Sequence, residues 1–583
     1  MLQRLLLILS LLTAGADLRI VPAVDRIDPE VDSALEQDPC IPNLDPVPVV
    51  SERLKSLWLE ALAQPEIDVK RLVAASIARA QRAGATGLAD FIPALTAEVD
   101  RPAQHRLVQL ACAQALVDLD ARQSAAILRT HAVRSLEIAL VVEPALALWD
   151  DAPAREMWLA RLQERDVRIR RLLLAIDGLA AVRDRRAAER LIELALERSG
   201  PPDVRLRAAA AAARLRDSGL EQRVRPLLSD TSRAGLTGRL VAASLLARHH
   251  GPAAQALWLD LAADDEPAVA AIALQSLLET APDVARPLAL QAVRRDDPHV
   301  RKLAAAILIA GAAAEHIVLV GTLLDDVHPE VRRFVRRALI RAAGEPLLAE
   351  LVSDAAMRQL SGESWRGQEQ AIFVIVAQNH RPAIPRLVEL MESERLEVLV
   401  TAAWALRRLK AREALPQMLA RAQHITDLYL AQGGLPVVAP PGFDRQLGQL
   451  FEAFGEMKCP EADTMMRRHI RRNPSPPPYT RARAIWALGH LHAEAPNADL
   501  STQFSERLAD AEIAPPEFEI VRQAAAVSLG RMKAEVELPV LRRYDGGPVG
   551  YACQWAIHQI TGEPIPEIEP LRQETTWFLT PLD

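Results

Sequence analysis

The chain has 583 residues, half of them hydrophobic and only 4% aromatic, with a net charge of −7 and a pI near 6.1. That length exceeds one ordinary hydrophobic core, which leaves several domains or one repeat array. The acidic balance gives no global pull toward nucleic acid, and the excess of Ala, Leu and Arg over β-branched and aromatic residues weighs against strands and for an all-α fold. Only six of the 69 basic residues are lysine, a bias that points to a GC-rich bacterial genome.

The N-terminus reads as a signal peptide over residues 1–16. Arg4 supplies the positive charge, Leu5 to Leu12 is an apolar run broken only by Ser10, and Ala14-Gly15-Ala16 is a small-x-small cleavage pattern. The run is too short to span a bilayer, and Cys40 lies too far downstream to carry a lipid, so the expectation is an exported, periplasmic or cell-envelope protein. Residues 17–50 hold Pro22, Pro29, Pro39, Pro42, Pro46 and Pro48 among acidic residues, which is a linker or an extended draped segment. The four cysteines (Cys40, Cys112, Cys459, Cys553) are too scattered for a disulfide framework, and only Cys40 with Cys112 is conceivable, if the N-terminal segment folds back.

From Ser51 onward helices recur. Pro267-Ala-Val269, Pro298-His-Val300 and Pro329-Glu-Val331 align without gaps at a spacing of 31 residues, with Pro202-Asp-Val204 in the same frame upstream and further anchors at Val69, Val167 and Val398. Proline suits the first helical turn, where its missing N–H has no intrahelical partner to lose. Asp297 can cap the helix that Pro298 opens. Each valine starts a buried stripe, as in Val300, Leu303, Ile307 and Leu308. The basic residue after it (Lys70, Arg168, Arg205, Arg301, Arg332) falls off that stripe, toward solvent or the neighbouring repeat.

The run Asp297-Pro-His-Val-Arg-Lys-Leu-Ala-Ala-Ala306 resembles the second helix of a HEAT-like repeat, as do the runs starting at Pro202 and Pro329. The period of 31 to 37 residues is more similar to the bacterial HEAT-like repeats named for phycobilisome lyases than to longer eukaryotic ones. The resemblance implies an α-solenoid of roughly 12–14 stacked helical hairpins over residues 51–563, and it is nearly silent on function. Residues 424–443 interrupt the array as a Gly/Pro-rich insertion ending in Phe443, the kind of insertion that often meets a partner. The tail 564–583 is expected to cap the open end of the last repeat. The apolar stretch Leu303 to Leu324 contains Glu315, His316 and a turn at Gly311, so it reads as a hairpin rather than a membrane span.

No His-Glu dipeptide occurs, which removes both His-Glu-x-x-His and the paired motifs of HEAT-repeat di-iron hydroxylases. Cys-x-x-Cys, Gly-x-Ser-x-Gly, Gly-x-Gly-x-x-Gly and the P-loop are missing too. His490, His492 and Glu494 are the best metal-ligand group, with His249-His250 behind it, but alternate residues on a helix diverge and histidines at helix C-termini ordinarily complement the dipole. No metal or cofactor is assigned.

A sharper pattern is aromatic. Trp404, Trp486 and Trp555 each stand six residues after a frame anchor (Val398, Thr480, Val549), about 120° off the buried stripe. Two readings stay open for them: an exposed strip that binds a partner, together with Phe443, or packing between adjacent repeats. Two arginine clusters, Arg332 to Arg341 and Arg467 to Arg472, spread over more than one helix face and suit an acidic partner better than a nucleic acid. The expectation is a non-catalytic, exported scaffold that binds a protein partner. A bilin-lyase-like carrier or enzyme is the alternative, and a HEAT-like nucleic-acid binder ranks behind it.

Overall fold

In the computed structural model, residues 32–41, 47–164, 166–311, 313–430, 442–471, 477–511, 516–566 and 572–574 are described. Nearly all of them lie in helices joined as hairpins, and the chain divides into two compact units. The first comprises residues 44–311 with 569–583, and the second residues 312–568 with 1–43. The proposed signal peptide, residues 1–16, lies outside the described residues, as do residues 431–441 of the insertion.

In the first unit eight hairpins follow one another, with Ile67–Arg82, Arg106–Asp118, Leu136–Leu148, Ile169–Ala181, Pro202–Leu215, Leu236–Leu246, Pro267–Thr280 and Pro298–Ala310 as their second helices. Each packs on the second helix of its neighbour, and the first helices form the other layer. The second unit repeats this with seven hairpins, whose second helices include Trp365–Ala377, Leu396–Arg408, Phe443–Glu456, Pro478–Leu491, Glu519–Arg531 and Gly547–Thr561. Stacked hairpins cover each other's apolar faces, which is the definition of an α-solenoid.

The sequence frame explains where these helices begin. Pro202, Pro267, Pro298 and Pro329 each occupy the first helical position, and the valine two residues on is buried in every copy. The Asp297 carboxylate accepts the Val300 N–H at 2.9 Å. One anchor falls outside its helix: Val167 precedes the helix Ile169–Ala181, whereas Val69 and Val398 lie in the first turns of theirs.

Except at Arg168, which is exposed, the basic residue after the anchor does more than face outward. Arg301 donates through Nη1 to the carbonyls of Arg295 and Asp296 (2.8 and 2.7 Å), Arg332 reaches the Asp326 carbonyl at 2.7 Å, and Arg205 reaches that of Ala195 at 3.2 Å. These guanidiniums turn back onto carbonyls at the end of the preceding helix, where partial negative charge collects. Lys70 does meet the neighbouring repeat, pairing with the buried Glu98 at 2.6 Å.

Helix ends recur as well. Asp120, Asp150, Arg183, Asn379, Lys410, Lys458 and Lys533 all have φ between 47° and 59° directly after a second helix. At Lys410 the N–H donates to the Arg407 carbonyl (2.9 Å) and the next N–H, of Ala411, to that of Leu406 (3.0 Å). That is a Schellman turn, which satisfies two orphan carbonyls and redirects the chain into the next hairpin.

The strand Val47–Val49 pairs in parallel with Arg572–Glu574, within the first unit. Leu303 to Leu324 folds as parts of two helices, Pro298–Ala310 and Ala314–Thr322, and no helix among the described residues is long and apolar enough to cross a membrane. The four cysteines are free thiols; burial pushes those of Cys112 and Cys553 up to about 12 and that of Cys459 up to about 11. Of the second arginine cluster Arg467 is helical, whereas Arg468 and Arg471 follow the end of the helix Asp463–Arg467, and Arg472 lies outside the described residues.

Candidate partner-binding face

Trp404, Trp486 and Trp555 lie on alternate members of the second-helix layer of the second unit, and they form no exposed strip: Trp404 and Trp486 are fully buried and Trp555 is half-buried. Their six-membered rings pack between repeats. A Cβ on Gly455 would stand 3.0 Å from the Trp486 ring, and one on Gly530 would stand 3.2 Å from the Trp555 ring, so glycine on each preceding helix makes room for the indole of the next. Trp404 also stacks on Phe373, with ring centroids 5.3 Å apart. The indole N–H groups of Trp404 and Trp486 point the other way, out of the layer.

What they meet is the acidic segment Asp32 to Ile41, which lies on this layer with one short helix, Ala34–Gln37. The Trp404 indole N–H donates to the Asp32 carboxylate at 2.7 Å, and that of Trp486 to the Asp38 carbonyl at 2.7 Å. Arg407 donates through Nη2 to the Asp32 carbonyl at 2.6 Å, while the Asp32 carboxylate also stands 3.5 Å from Arg408. Arg531 pairs with the Asp38 carboxylate at 3.0 Å and lies over both the Trp486 and Trp555 rings. His490 stacks on Trp486 and approaches the other Asp38 oxygen at 3.2 Å.

Between these two clamps sits Glu452, fully buried. It accepts the Ser33 hydroxyl at 2.6 Å and the Ala34 N–H at 2.9 Å, so it caps the segment's short helix from outside. Arg483 at 2.9 Å and Arg407 at 3.4 Å neutralise it. Gly448 matters here, since a Cβ at that position would collide with the Arg483 guanidinium. Ala34 and Leu35 are the segment's buried apolar side chains, whereas Glu36, Gln37 and Asp38 are exposed.

Electrostatics follow this geometry. The His490 contact is the main cause holding the Asp38 carboxyl below its ordinary range, with Arg531 adding to it, while burial pushes the His490 imidazole down. Burial likewise lowers the Arg531 guanidinium from its usual value.

The other sequence candidates stand elsewhere. Phe443 opens the helix Phe443–Glu456, half-buried under the Arg421 guanidinium at 4.7 Å, and is not brought together with the tryptophans. His492 pairs with Asp463 at 2.6 Å, so it and His490 serve different carboxylates. No group of metal-ligand type forms among the described residues. His249 holds Glu221 at 3.0 Å beside a cavity of about 350 Å³ in the first unit, lined by His249, His250, Trp258 and Glu279 among others.

Sequence reasoning missed Asp32, Ser33, Asp38, Arg407, Glu452, Arg483 and Arg531. One signal was present: Glu452 interrupts the apolar run Leu450-Phe451-Glu452-Ala453-Phe454, and a charge in such a run needs a buried partner.

An armadillo/β-catenin-like repeat model matches residues 381–409, the hairpin that ends in the Trp404 helix. No curated protein sequence matches the chain. Among solved structures, importin β crystallised in ammonium sulfate is similar, with a TM-score of 0.50 and 13% identity over 87% of this chain and 72% of that one. Yeast importin β gives 0.47 and 12% over 88% and 73%. The CpcE–CpcF complex of phycocyanin lyase from a Nostoc species gives 0.28 and 16% over 43% and 87%. The repeat frame, the stacked hairpins and the likeness to importin β at a TM-score of 0.50 give the chain the fold of an α-solenoid of HEAT-like helical hairpins.

Proposed function

We propose that this protein is a non-catalytic, exported adaptor that binds a partner protein through the second-helix layer of its second unit. The observation that carries this reading is the set of indole and guanidinium donors at Trp404, Arg407, Trp486 and Arg531, all aimed at a polypeptide segment that is not itself a repeat. Tryptophan and arginine are the side chains that most often dominate protein–protein contacts, because each combines a large apolar body with polar donors. Export rests on residues 1–16 alone. A small-molecule carrier would have the 350 Å³ cavity to use, at the low end of the range for ligand sites.

Crosslinking of the tagged protein in its native cell envelope, followed by mass spectrometry, tests the adaptor reading. The expected result is one dominant protein crosslinked to the second unit's second helices. A chain that captures no protein at all would overturn it. N-terminal sequencing of the mature chain tests export, with Asp17 as the expected first residue; an uncleaved chain confined to the cytoplasm would refute it.

A further inference from the structure

We propose that the Trp404–Trp486 face is a site for short acidic peptides carrying two aspartates six residues apart around one helical turn, and that residues 32–38 are its built-in competitor. This rests on the adaptor reading and specifies what the partner must present.

Nearly every contact is to something that an unrelated peptide of the same pattern would also offer. The face takes the carbonyls of Asp32 and Asp38, both aspartate carboxylates, one N–H at Ala34 and one hydroxyl at Ser33. The exposed Glu36 and Gln37 make no contact in this set, although Gln37 donates to the Asp32 carboxylate at 3.1 Å within the segment, so position 36 is the freest to vary. Leu35 is 8% exposed and Ala34 9%, so the turn needs a small residue followed by a leucine-sized one. The recognised pattern is therefore Asp-Ser-Ala-Leu-x-x-Asp.

Specificity has a repulsive element as well. Glu452 is 0% exposed and accepts from the segment, so a carboxylate or a phosphate in place of the Ser33 hydroxyl would face an acceptor in a dry site. Two clamps that each take an aspartate flank a carboxylate acceptor that takes a hydroxyl, and together they read the order acid–hydroxyl–acid, which a generic basic groove does not do.

The same geometry makes residues 32–38 a competitor. Their hold is chiefly polar, with Ala34 and Leu35 as the buried apolar side chains, so a partner of like pattern can replace it contact for contact. The segment is covalently attached and acts at a high effective concentration, so only a partner that binds well below that concentration displaces it.

The test uses the full-length protein and a fluorescent peptide copying residues 29–41, with serine replacing Cys40. Wild-type protein should bind it weakly. Protein carrying Asp32→Ala and Asp38→Ala should bind it at least tenfold more tightly, and a peptide with both aspartates changed to asparagine should lose that gain. A phosphoserine peptide should bind at least tenfold less well than its parent. Equal affinity for wild-type and doubly substituted protein, with helical circular dichroism unchanged, would overturn the proposal. Should the doubly substituted protein fail to fold, excess peptide added to wild-type protein should accelerate hydrogen exchange at residues 34–38, and no acceleration would be fatal to the idea. A partner crosslinked to the second unit that lacks such an acidic motif would leave the adaptor reading standing and remove this one.

Discussion

The indole N–H of Trp486 donates to the backbone carbonyl of Asp38, a residue 448 positions earlier in the chain, at 2.7 Å. The bond ties a non-repeat segment to the repeat layer through a group that only tryptophan supplies at that position. Trp486→Phe keeps the ring against Gly455 and deletes the donor. A lost hydrogen bond of this kind costs about 1 kcal/mol. Hydrogen exchange at residues 34–38 should therefore quicken several-fold while the Pro478–Leu491 helix stays protected, and unchanged exchange would show that the bond does not hold the segment.

Glu452 is the buried charge on which the segment, Arg407 and Arg483 converge. Glu452→Gln keeps the shape and leaves two guanidiniums short of their counter-charge. Breaking a buried pair in this way costs about 3–5 kcal/mol. The denaturant midpoint should fall accordingly. A midpoint within error of wild type would mean that Asp32 and Glu456 suffice for Arg407 and that Arg483 needs no carboxylate at this position.

Lys410 is exposed and holds φ at 47°, in the left-handed region where a side chain is strained. Lys410→Gly relieves that strain but adds freedom to the unfolded chain, so the net gain should be at most about 1 kcal/mol. The measurement is again the denaturant midpoint, and a clear loss of stability would contradict the turn geometry.

His469 is fully buried, bonded through Nε2 to Thr426 at 3.1 Å and edge-on to Phe451, and burial drives its imidazole down to about 3. The unfolded chain binds a proton below about pH 6.5 that the folded chain refuses. Stability should thus fall as pH drops from about 6.5 toward 3, by up to about 1.4 kcal/mol per pH unit from this group. Urea midpoints at pH 7 and pH 5 check this, and His469→Gln should flatten the dependence by about one proton; an unchanged slope would place the proton elsewhere.

The architecture was legible because its signals are local. Asp297, Pro298 and Val300 announce a helix start from within four consecutive positions, and the frame repeats. Val167 falls two residues short of its helix, which starts at Ile169. The tryptophan stripe was visible as a spacing, yet whether its rings point between repeats or outward is set by Gly455 and Gly530 on other helices, which no local pattern reveals. The acidic segment was the hardest part: Asp32 and Asp38 look like any solvated linker residues until Arg407 and Arg531, hundreds of positions away, are folded against them.

That separation in sequence has a consequence in time. Asp32 leaves the ribosome 372 residues before Trp404, and Asp38 leaves it 493 residues before Arg531. At about 5–20 residues per second, the segment waits roughly 20 to 100 s for the groups that hold it. Throughout that interval residues 32–38 are an acidic peptide without a home, open to any other protein that reads such a sequence, and the face they will cover does not yet exist.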